Sequence, residues 1–511
     1  MSDPFYITTA ISYPNGRPHI GHAYEAIAAD AIARFHRLSG RDVRLITGTD
    51  EHGLKMVQTA AKAGVSTLAL ADEMSGYFKE MCAKLNIEHS QFVRTTEPRH
   101  HEASIALWKA MEASDDLYLD RYEGWYSVRD EAFYDEKELV TGEGGEKLSP
   151  QGTPVEWTAE ETWFFRLSKY QDALLKLYAD HPDFIRPESR RNEVLRFVEG
   201  GLRDLSVSRT SFDWGVPVPG SPGHVMYVWV DALTAYMTGV GYPQLDGDFA
   251  RFWPADIHLI GKDIVRFHTV YWPAFLMSAG LPLPKQVFGH GFLLARGGEK
   301  MSKSAGNVVD PMELAEKFGV DQLRYFLLRE VSFGQDGSYS EEAIVTRCNA
   351  DLANNFGNLA QRSLSMIAKN CDGKVPMPTK PDPADNVLAG AISAARTAVE
   401  AAMDDLALHS AIEAVWTAMS AANLYFAEQA PWAARKEDPA RADTILYNTV
   451  EAIRQLAILA QWAIPEGAGK VLELLGQPKD IRDFRCLGTP LVTGVSLPTP
   501  SGVFPRLEMA A

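Results

Sequence analysis

The chain has 511 residues, 46% of them hydrophobic and 23% charged, with a formal net charge of −17. That length exceeds one ordinary core and predicts several domains, while the composition excludes a disordered or fibrous protein. The acidic balance excludes a protein coated for nonspecific nucleic-acid binding, which needs lysine and arginine against phosphates, so any RNA contact must be local.

The first element is a strand over Phe5–Ala10, followed by a Pro14-Asn15-Gly16 turn and a helical pattern from His22 to Leu38. No leader precedes that strand and no apolar run is long enough to cross a bilayer, so a cytoplasmic protein without a membrane partner is expected. The turn ends in His19-Ile20-Gly21-His22. A helix opening there presents unpaired backbone N–H groups and the positive end of its dipole, and Gly21 lets a ligand approach the backbone. Such a terminus suits a triphosphate; standing alone, the tetrapeptide is equally a capped helix with two surface histidines. Strands at Val43–Thr47 and Phe92–Thr96, each followed by helical periodicity, predict the first half of a parallel, doubly wound α/β sheet over residues 1–114.

Between 115 and 215 the texture changes to aromatic-rich short strands around Trp125–Tyr134 and Glu156–Arg166, a glycine-rich turn at Thr141–Gly145, and then helices, which reads as an insertion. Arginines recur at Arg186, Arg190, Arg191, Arg196, Arg203 and Arg209, diluted by Glu188, Glu193, Glu199 and Asp204; a local RNA contact and a helix face laced with ion pairs are both open. The four cysteines, Cys82, Cys348, Cys371 and Cys486, are dispersed and form no Cys-x-x-Cys pair, so neither a disulfide framework nor structural zinc is expected.

Alternation resumes over 216–335: a strand His224–Val230, a helix through Tyr236, a strand Ile257–Ile260, a helix Lys262–Ala279 and a strand Gln286–Phe292. Trp229, Ala232 and Tyr236 share one helix face, and His268 and Trp272 share another. These faces are either ordinary core or the wall of a pocket outside the carboxyl ends of the strands. The stretch from Arg296 to Asn307 is rich in glycine, serine and lysine and reads as a mobile loop. Its Lys300 and Lys303 can close over phosphates and match the charge that builds as pyrophosphate leaves, although most such loops are merely solvated. From 336 to 511 the pattern is helical, with stretches at about 341–370, 385–403, 407–429 and 440–462, partly separated by Pro376–Pro383 and Pro465–Gly469. This predicts a helical bundle appended to the α/β core.

The motifs His19-Ile20-Gly21-His22 and Lys300-Met301-Ser302-Lys303-Ser304, in this order on an α/β chain, resemble those of the class I aminoacyl-tRNA synthetases. Ala10-Ile11-Ser12-Tyr13-Pro14-Asn15-Gly16, Thr47-Gly48-Thr49-Asp50-Glu51-His52-Gly53, Val228-Trp229-Val230-Asp231-Ala232 and Gly261-Lys262-Asp263-Ile264-Val265-Arg266-Phe267-His268 resemble, within that class, the methionyl-tRNA synthetase family. The resemblance covers nearly the whole chain. It implies a Rossmann-like catalytic domain split around an inserted connective subdomain, then an anticodon-binding helical domain.

It also implies catalytic roles for His19, His22, Lys300 and Lys303, with ATP held by His19, Gly21, His22 and Lys303. Ala10, Ile11, Tyr13, Trp229, Ala232, Tyr236, His268 and Trp272 would line a methionine pocket, with Asp50 on the α-amino group. Asn358, Arg362 and Trp432 would read the tRNA anticodon. These residue types fit: aromatic rings suit a polarisable thioether, a carboxylate suits an ammonium, and a ring, an amide and a guanidinium suit splayed bases. The implied reaction is activation of L-methionine by ATP, brought as its Mg2+ complex, and transfer to tRNA(Met), by a monomer. The chain departs from the family at Leu233, where relatives often place proline, and at Ser127 and Asp130, where zinc-binding relatives place cysteines. A zinc-free connective subdomain is therefore expected, without the C-terminal tRNA-binding domain that some relatives append. Other readings are a class I synthetase for leucine, isoleucine, valine or cysteine, a small-molecule adenylyltransferase, and an inactive RNA-binding or scaffolding paralogue.

Overall fold

Strand β1 (Pro4–Thr9) buries Phe5 and Ile7 on one face and Tyr6 on the other, the two-sided burial of a central strand in a parallel sheet. The computed structural model describes residues 2–129, 132–142, 144–294 and 308–509. In it β1 sits within a six-stranded parallel sheet with β2 (Asp42–Thr49), β3 (Gln91–Arg94), β4 (Ile185–Arg186), β5 (Ile257–Gly261) and β6 (Val287–His290). The order is β3-β2-β1-β5-β6-β4. Ile7 pairs with Ile257 and Thr9 with Leu259, so the order reverses between β1 and β5, where open α/β sheets hold their ligands.

Helices cover both faces. Helix α1 (Ile20–Leu38) lies on the Phe5 and Ile7 side, and its buried Ala23, Ala26, Ala28, Ala29, Ala31 and Ala33 let it be enclosed nearly all round. Helices α2 (Pro98–Ala113) and α3 (Val228–Thr238) cover the other face with Leu107, Trp108, Leu233, Tyr236 and Met237.

Three local expectations are corrected. The run read as a strand, His224–Val230, holds only the short strand Val225–Met226, paired antiparallel to Ser208–Arg209, and α3 starts at Val228. A short apolar run buried on all sides carries no periodicity to separate strand from helix. The expected helix Lys262–Ala279 is a 3-10 turn (Lys262–Ile264), a π turn (Phe267–Tyr271) and an α-helix (Trp272–Ser278). Pro465, read as a separator, opens the helix Pro465–Leu474 from its first turn, where a missing N–H is no loss.

The stretch between α2 and α3 contributes β4 to the main sheet and a long antiparallel hairpin, Leu117–Ser127 against Glu156–Phe165. Near its tip the buried Thr153 hydroxyl bonds those of Ser127, at 2.6 Å, and Ser149, at 2.8 Å. Asp130 lies outside the described residues. Among the recurring arginines, Arg186 pairs with Asp405, Arg190 with Glu193 and Arg203 with Asp135.

The bundle, built on Pro383–Asp404, Leu408–Gln429 and Pro439–Ala460, shares one continuous core with α1. Among the described residues no helix is long and apolar enough to cross a membrane. The helix Val320–Glu330 joins the two parts. Its Arg324, wholly buried, donates to Asp30 on α1 at 2.6 Å, to the carbonyls of Leu85 and Asn86, and to those of Trp462 and Ala463.

One turn before it, Asp321 accepts the Gly467 N–H on Oδ2 at 2.5 Å, while its buried Oδ1 has no hydrogen-bond partner among the described residues. Burial pushes its pKa up to about 6 against the pull of the Gly467 N–H and Arg324. The folded value lies above that of an unfolded aspartate, so its stabilising contribution is complete below about pH 4 and is lost as pH rises through the folded value. Asp321→Asn is therefore expected to stabilise the protein at pH 7.5 by roughly 2–3 kcal/mol and to change little at pH 4. Thermal melts of both proteins at the two pH values check this.

Candidate active site

Helix α1 begins with two histidines that cap it reciprocally. His19 is extended (φ −126°, ψ 172°) and its Nδ1 accepts the Gly21 N–H at 3.1 Å, while His22 Nδ1 accepts the His19 N–H at 3.1 Å. A ring nitrogen that accepts carries no proton, so each imidazole keeps its N–H on Nε2. The rings lie 3.8 Å apart between centroids, and Phe78 meets His22 edge-on at 5.1 Å. A Cβ at Gly21 would come within 2.9 Å of His19 Cε1 and displace the capping ring. The first turn of α1 holds no acidic residue, which leaves its positive end available to an anion.

Thr9, Ser12, His22, Glu25, Thr47 and Gly48 line a small cavity beside this terminus. Glu25 accepts from His290 Nε2 at 2.8 Å, and His290 Nδ1 donates to the Gly291 carbonyl at 2.8 Å. Burial opposes a charge on His290, yet the hydrogen bond and charge of Glu25 outweigh it and raise its pKa. Sequence reasoning missed both residues; the available signal was a histidine at the carboxyl end of β6. Lys300 and Lys303 lie outside the described residues.

Beside the capped terminus the chain builds a second recess. The Ala10 N–H donates to the Leu259 carbonyl at 3.1 Å, Ser12 N–H to Gly48 at 2.9 Å, and Asp50 N–H to Ser12 at 2.9 Å. These bonds stitch Ala10, Ile11, Tyr13 and Asp50 across the carboxyl ends of β5, β1 and β2. Facing them, α3 supplies Trp229, Ala232 and Tyr236, the π turn supplies His268, and Trp272 follows it.

Trp229 is half-buried, and stacks on Phe267 at 3.9 Å with its edge near His268. Ala232, Tyr236, His268 and Trp272 are buried. His268 Nδ1 donates to the Ile264 carbonyl at 2.9 Å, so its Nε2 accepts the Tyr236 hydroxyl at 2.7 Å. Burial holds the His268 pKa down to about 4, only partly offset by the Ile264 carbonyl, and the ring is neutral at pH 7. The Trp272 indole donates to His258 at 3.2 Å. The result is an aromatic, uncharged wall whose polar atoms are already paired with one another.

The loop carrying Asp50 is anchored by its neighbours. Glu51 is wholly buried and takes Arg94 on both oxygens, at 2.7 and 3.0 Å, together with the Thr49 and Thr96 hydroxyls. His52 Nδ1 meets Asp231 at 2.5 Å. Neither partner was legible in the sequence, since 43 and 179 residues separate them along the chain.

On the bundle, Asn358 and Arg362 are exposed on one helix face. The Arg362 guanidinium lies 5.0 Å from the Phe426 ring and 5.5 Å from that of Trp432. Trp432, which without the family resemblance reads as packed in the bundle, is 43% exposed at the start of its helix. The three residues thus share one open surface, preceded by a second π turn at Asn349–Gly357. Among the described residues no group of three or more His, Cys, Asp or Glu is arranged to hold a metal ion.

A family model described as tRNA synthetases class I (M) matches residues 5–364, and one described as the anticodon binding domain of methionyl tRNA ligase matches 375–509. The fold is that of a class I tRNA synthetase. The methionine–tRNA ligase of Rhizobium meliloti is 61% identical over 511 residues, covering 99% of this chain and 98% of that relative. That of Brucella suis is 59% identical over 505 residues, with the same coverage. Among solved structures, Mycobacterium tuberculosis methionyl-tRNA synthetase in complex with methionyl-adenylate superposes with a TM-score of 0.96 at 59% identity, covering 99% of this chain and 100% of that one. The apo form of the Mycobacterium tuberculosis enzyme gives 0.91 at 56% identity, covering 100% and 99%. The chain belongs to the methionine–tRNA ligase family.

Proposed function

We propose that this chain, as a cytoplasmic monomer, activates L-methionine with Mg2+-bound ATP to methionyl-adenylate and passes the methionyl group to the 3′ end of tRNA(Met), for both initiation and elongation. The observation that carries this reading is the junction at the β1–β5 reversal, where two imidazole Nε2–H donors stand beside an uncharged aromatic recess. A carboxylate oxygen of methionine attacks the α-phosphorus, and the bond to the bridging oxygen breaks with its electron pair leaving on pyrophosphate. His19, Gly21 and His22 hold the phosphates, and Lys300 and Lys303 meet the charge on the departing pyrophosphate. Asp50 anchors the α-ammonium. Ala10, Ile11, Tyr13, Trp229, Ala232, Tyr236, His268 and Trp272 enclose the thioether side chain. In the second step a ribose hydroxyl of tRNA attacks the methionyl carbonyl and AMP leaves.

No side chain forms a covalent intermediate, so the rate comes from positioning and charge compensation. In this reading residues 1–114 and 216–335 form the catalytic domain, 115–215 the connective subdomain and 336–511 the anticodon-binding domain, with Asn358, Arg362 and Trp432 as readers. ATP–pyrophosphate exchange with a panel of amino acids tests the activation step. Methionine is expected to support exchange, and comparable exchange with leucine, isoleucine, valine or cysteine would overturn the assignment.

Trp432→Ala separates the two halves. Loss of a stacking platform worth about 1–3 kcal/mol predicts a roughly 5- to 150-fold lower kcat/KM for tRNA in aminoacylation, with exchange unchanged. Parallel loss of both activities would make Trp432 structural.

A further inference from the structure

Asp231 is wholly buried, and an ionised carboxylate is expensive to bury unless both oxygens are paired. Its Oδ2 accepts His52 Nδ1–H at 2.5 Å and its Oδ1 accepts His100 Nε2–H at 2.6 Å. Burial favours the neutral acid, but the two imidazoles outweigh it and hold the Asp231 pKa well below the usual carboxylate range. The carboxylate therefore joins three separate pieces of chain. His100 lies in the first turn of α2, Asp231 in the first turn of α3, and His52 in the loop after β2.

Geometry gives this junction a purpose beyond packing. The Asp50–Gly53 loop is fixed to the end of β3 by the Glu51–Arg94 pair, but its bond to α3 is the His52–Asp231 contact. Trp214 braces the loop from the side, donating its indole N–H to the Glu51 carbonyl at 2.7 Å and meeting the His52 ring at 5.6 Å. Asp50 is two residues from His52, while Trp229, Ala232 and Tyr236 share α3 with Asp231. A short charge-assisted bond has narrower geometry than an apolar contact, so it sets the distance between the two pieces and not merely their proximity.

We infer that Asp231, acting through His52, is a positioning residue that holds the Asp50 carboxylate at a fixed distance from the side-chain recess, so that the site measures the span between an α-ammonium and a thioether. This deepens the methionine reading above and rests on it. Asp231 and His52 are both buried and turned toward each other, so the expected role is in amino-acid recognition and not in the chemical step.

The test uses the full-length enzyme in methionine-dependent ATP–pyrophosphate exchange, with two competitors: L-methioninol, which carries the ammonium, and 4-(methylthio)butan-1-ol, which lacks it. In His52→Ala the KM for methionine and the Ki of methioninol are expected to rise about tenfold or more, the loss of one charge-assisted hydrogen bond. The Ki of the deaminated alcohol, the KM for ATP and kcat are expected to stay within about threefold. His52→Asn places an amide N–H where Nδ1–H stood and is expected to restore methioninol binding to within about threefold. Asp231→Asn, if it folds, should follow His52→Ala.

Parallel weakening of both competitors in His52→Ala, or no rescue by His52→Asn, would make the contact a general structural one and overturn the inference. Asp50→Ala distinguishes the two levels. Unchanged methioninol binding there would remove the amino-group assignment and this inference with it. A strong loss there beside an unaffected His52→Ala would overturn the Asp231 link alone.

Discussion

Replacing His22 by Asn is expected to slow methionine-dependent ATP–pyrophosphate exchange by about 10²–10³-fold, the size of effect seen when one preorganised donor to developing charge is removed. The substitution is chosen from the cap geometry. The asparagine Oδ1 occupies the place of the imidazole Nδ1, so the His19 N–H keeps its acceptor, now bonded at 3.1 Å, and the helix start survives. What disappears is the Nε2–H. The thermal transition should therefore move by no more than a few degrees, since cap loss alone would cost only about 1 kcal/mol. His22→Gln offers an amide N–H near the Nε2 position while its Oε1 can still accept the His19 N–H, and should keep more rate at similar stability. Steady-state exchange over a range of ATP concentrations separates kcat from KM, and a fully active His22→Asn enzyme would remove the phosphate role of His22.

Arg324→Met should destabilise the protein by about 3–5 kcal/mol, the cost of removing one partner from a buried ion pair. Asp30 and Arg324 are both wholly buried at 2.6 Å. Asp30 would retain Arg34 and the Glu88 N–H, and the Leu85, Asn86, Trp462 and Ala463 carbonyls would lose their donor. Burial by itself would raise the Asp30 pKa, but Arg324, Arg34 and the Glu88 N–H outweigh it and lower it. A depressed folded value means stability present above the unfolded aspartate pKa of about 3.9 and lost as pH falls through the folded one, so the penalty of Arg324→Met should shrink in acid. The double change Asp30→Asn with Arg324→Met removes both charges and should recover part of the loss at neutral pH. Urea unfolding of the three proteins at pH 7.5 and at about pH 3, below the unfolded aspartate pKa, measures this, and equal stability of Arg324→Met and the parent at pH 7.5 would exclude the pair as a connection between α1 and the bundle.

Local chemistry was legible wherever neighbours in sequence are neighbours in space. A Pro-Asn-Gly turn followed by His-x-Gly-His announced a helix terminus, and α1 starts there because both histidines bond within three residues of themselves. Asn358 and Arg362 share a helix face for the same reason. What the chain concealed depends on distance. No local pattern ties Asp231 to His52 and His100, or Arg324 to Asp30. The two residues of β4 are too few to carry a period, and they enter the sheet only because β6 offers an edge. The run Val-Met-Tyr-Val-Trp-Val is apolar at every position and so fits the end of a strand as well as the start of a helix; the structure makes it a helix from Val228. At Pro465 a proline that starts a helix and one that separates two look alike in sequence, and only packing tells them apart.

The π turn at Phe267–Tyr271 carries one residue more than regular winding would. Excising a single residue there would restore ordinary winding and leave the helix after it close to its present orientation, because the wide turn has already absorbed the extra residue. The side chains of the turn itself, His268 among them, would lose the displacement that the wide turn gives them. A one-codon deletion at this spot should therefore spare the packing of the helix from Trp272 onward and disturb the hydrogen bond between His268 and Tyr236.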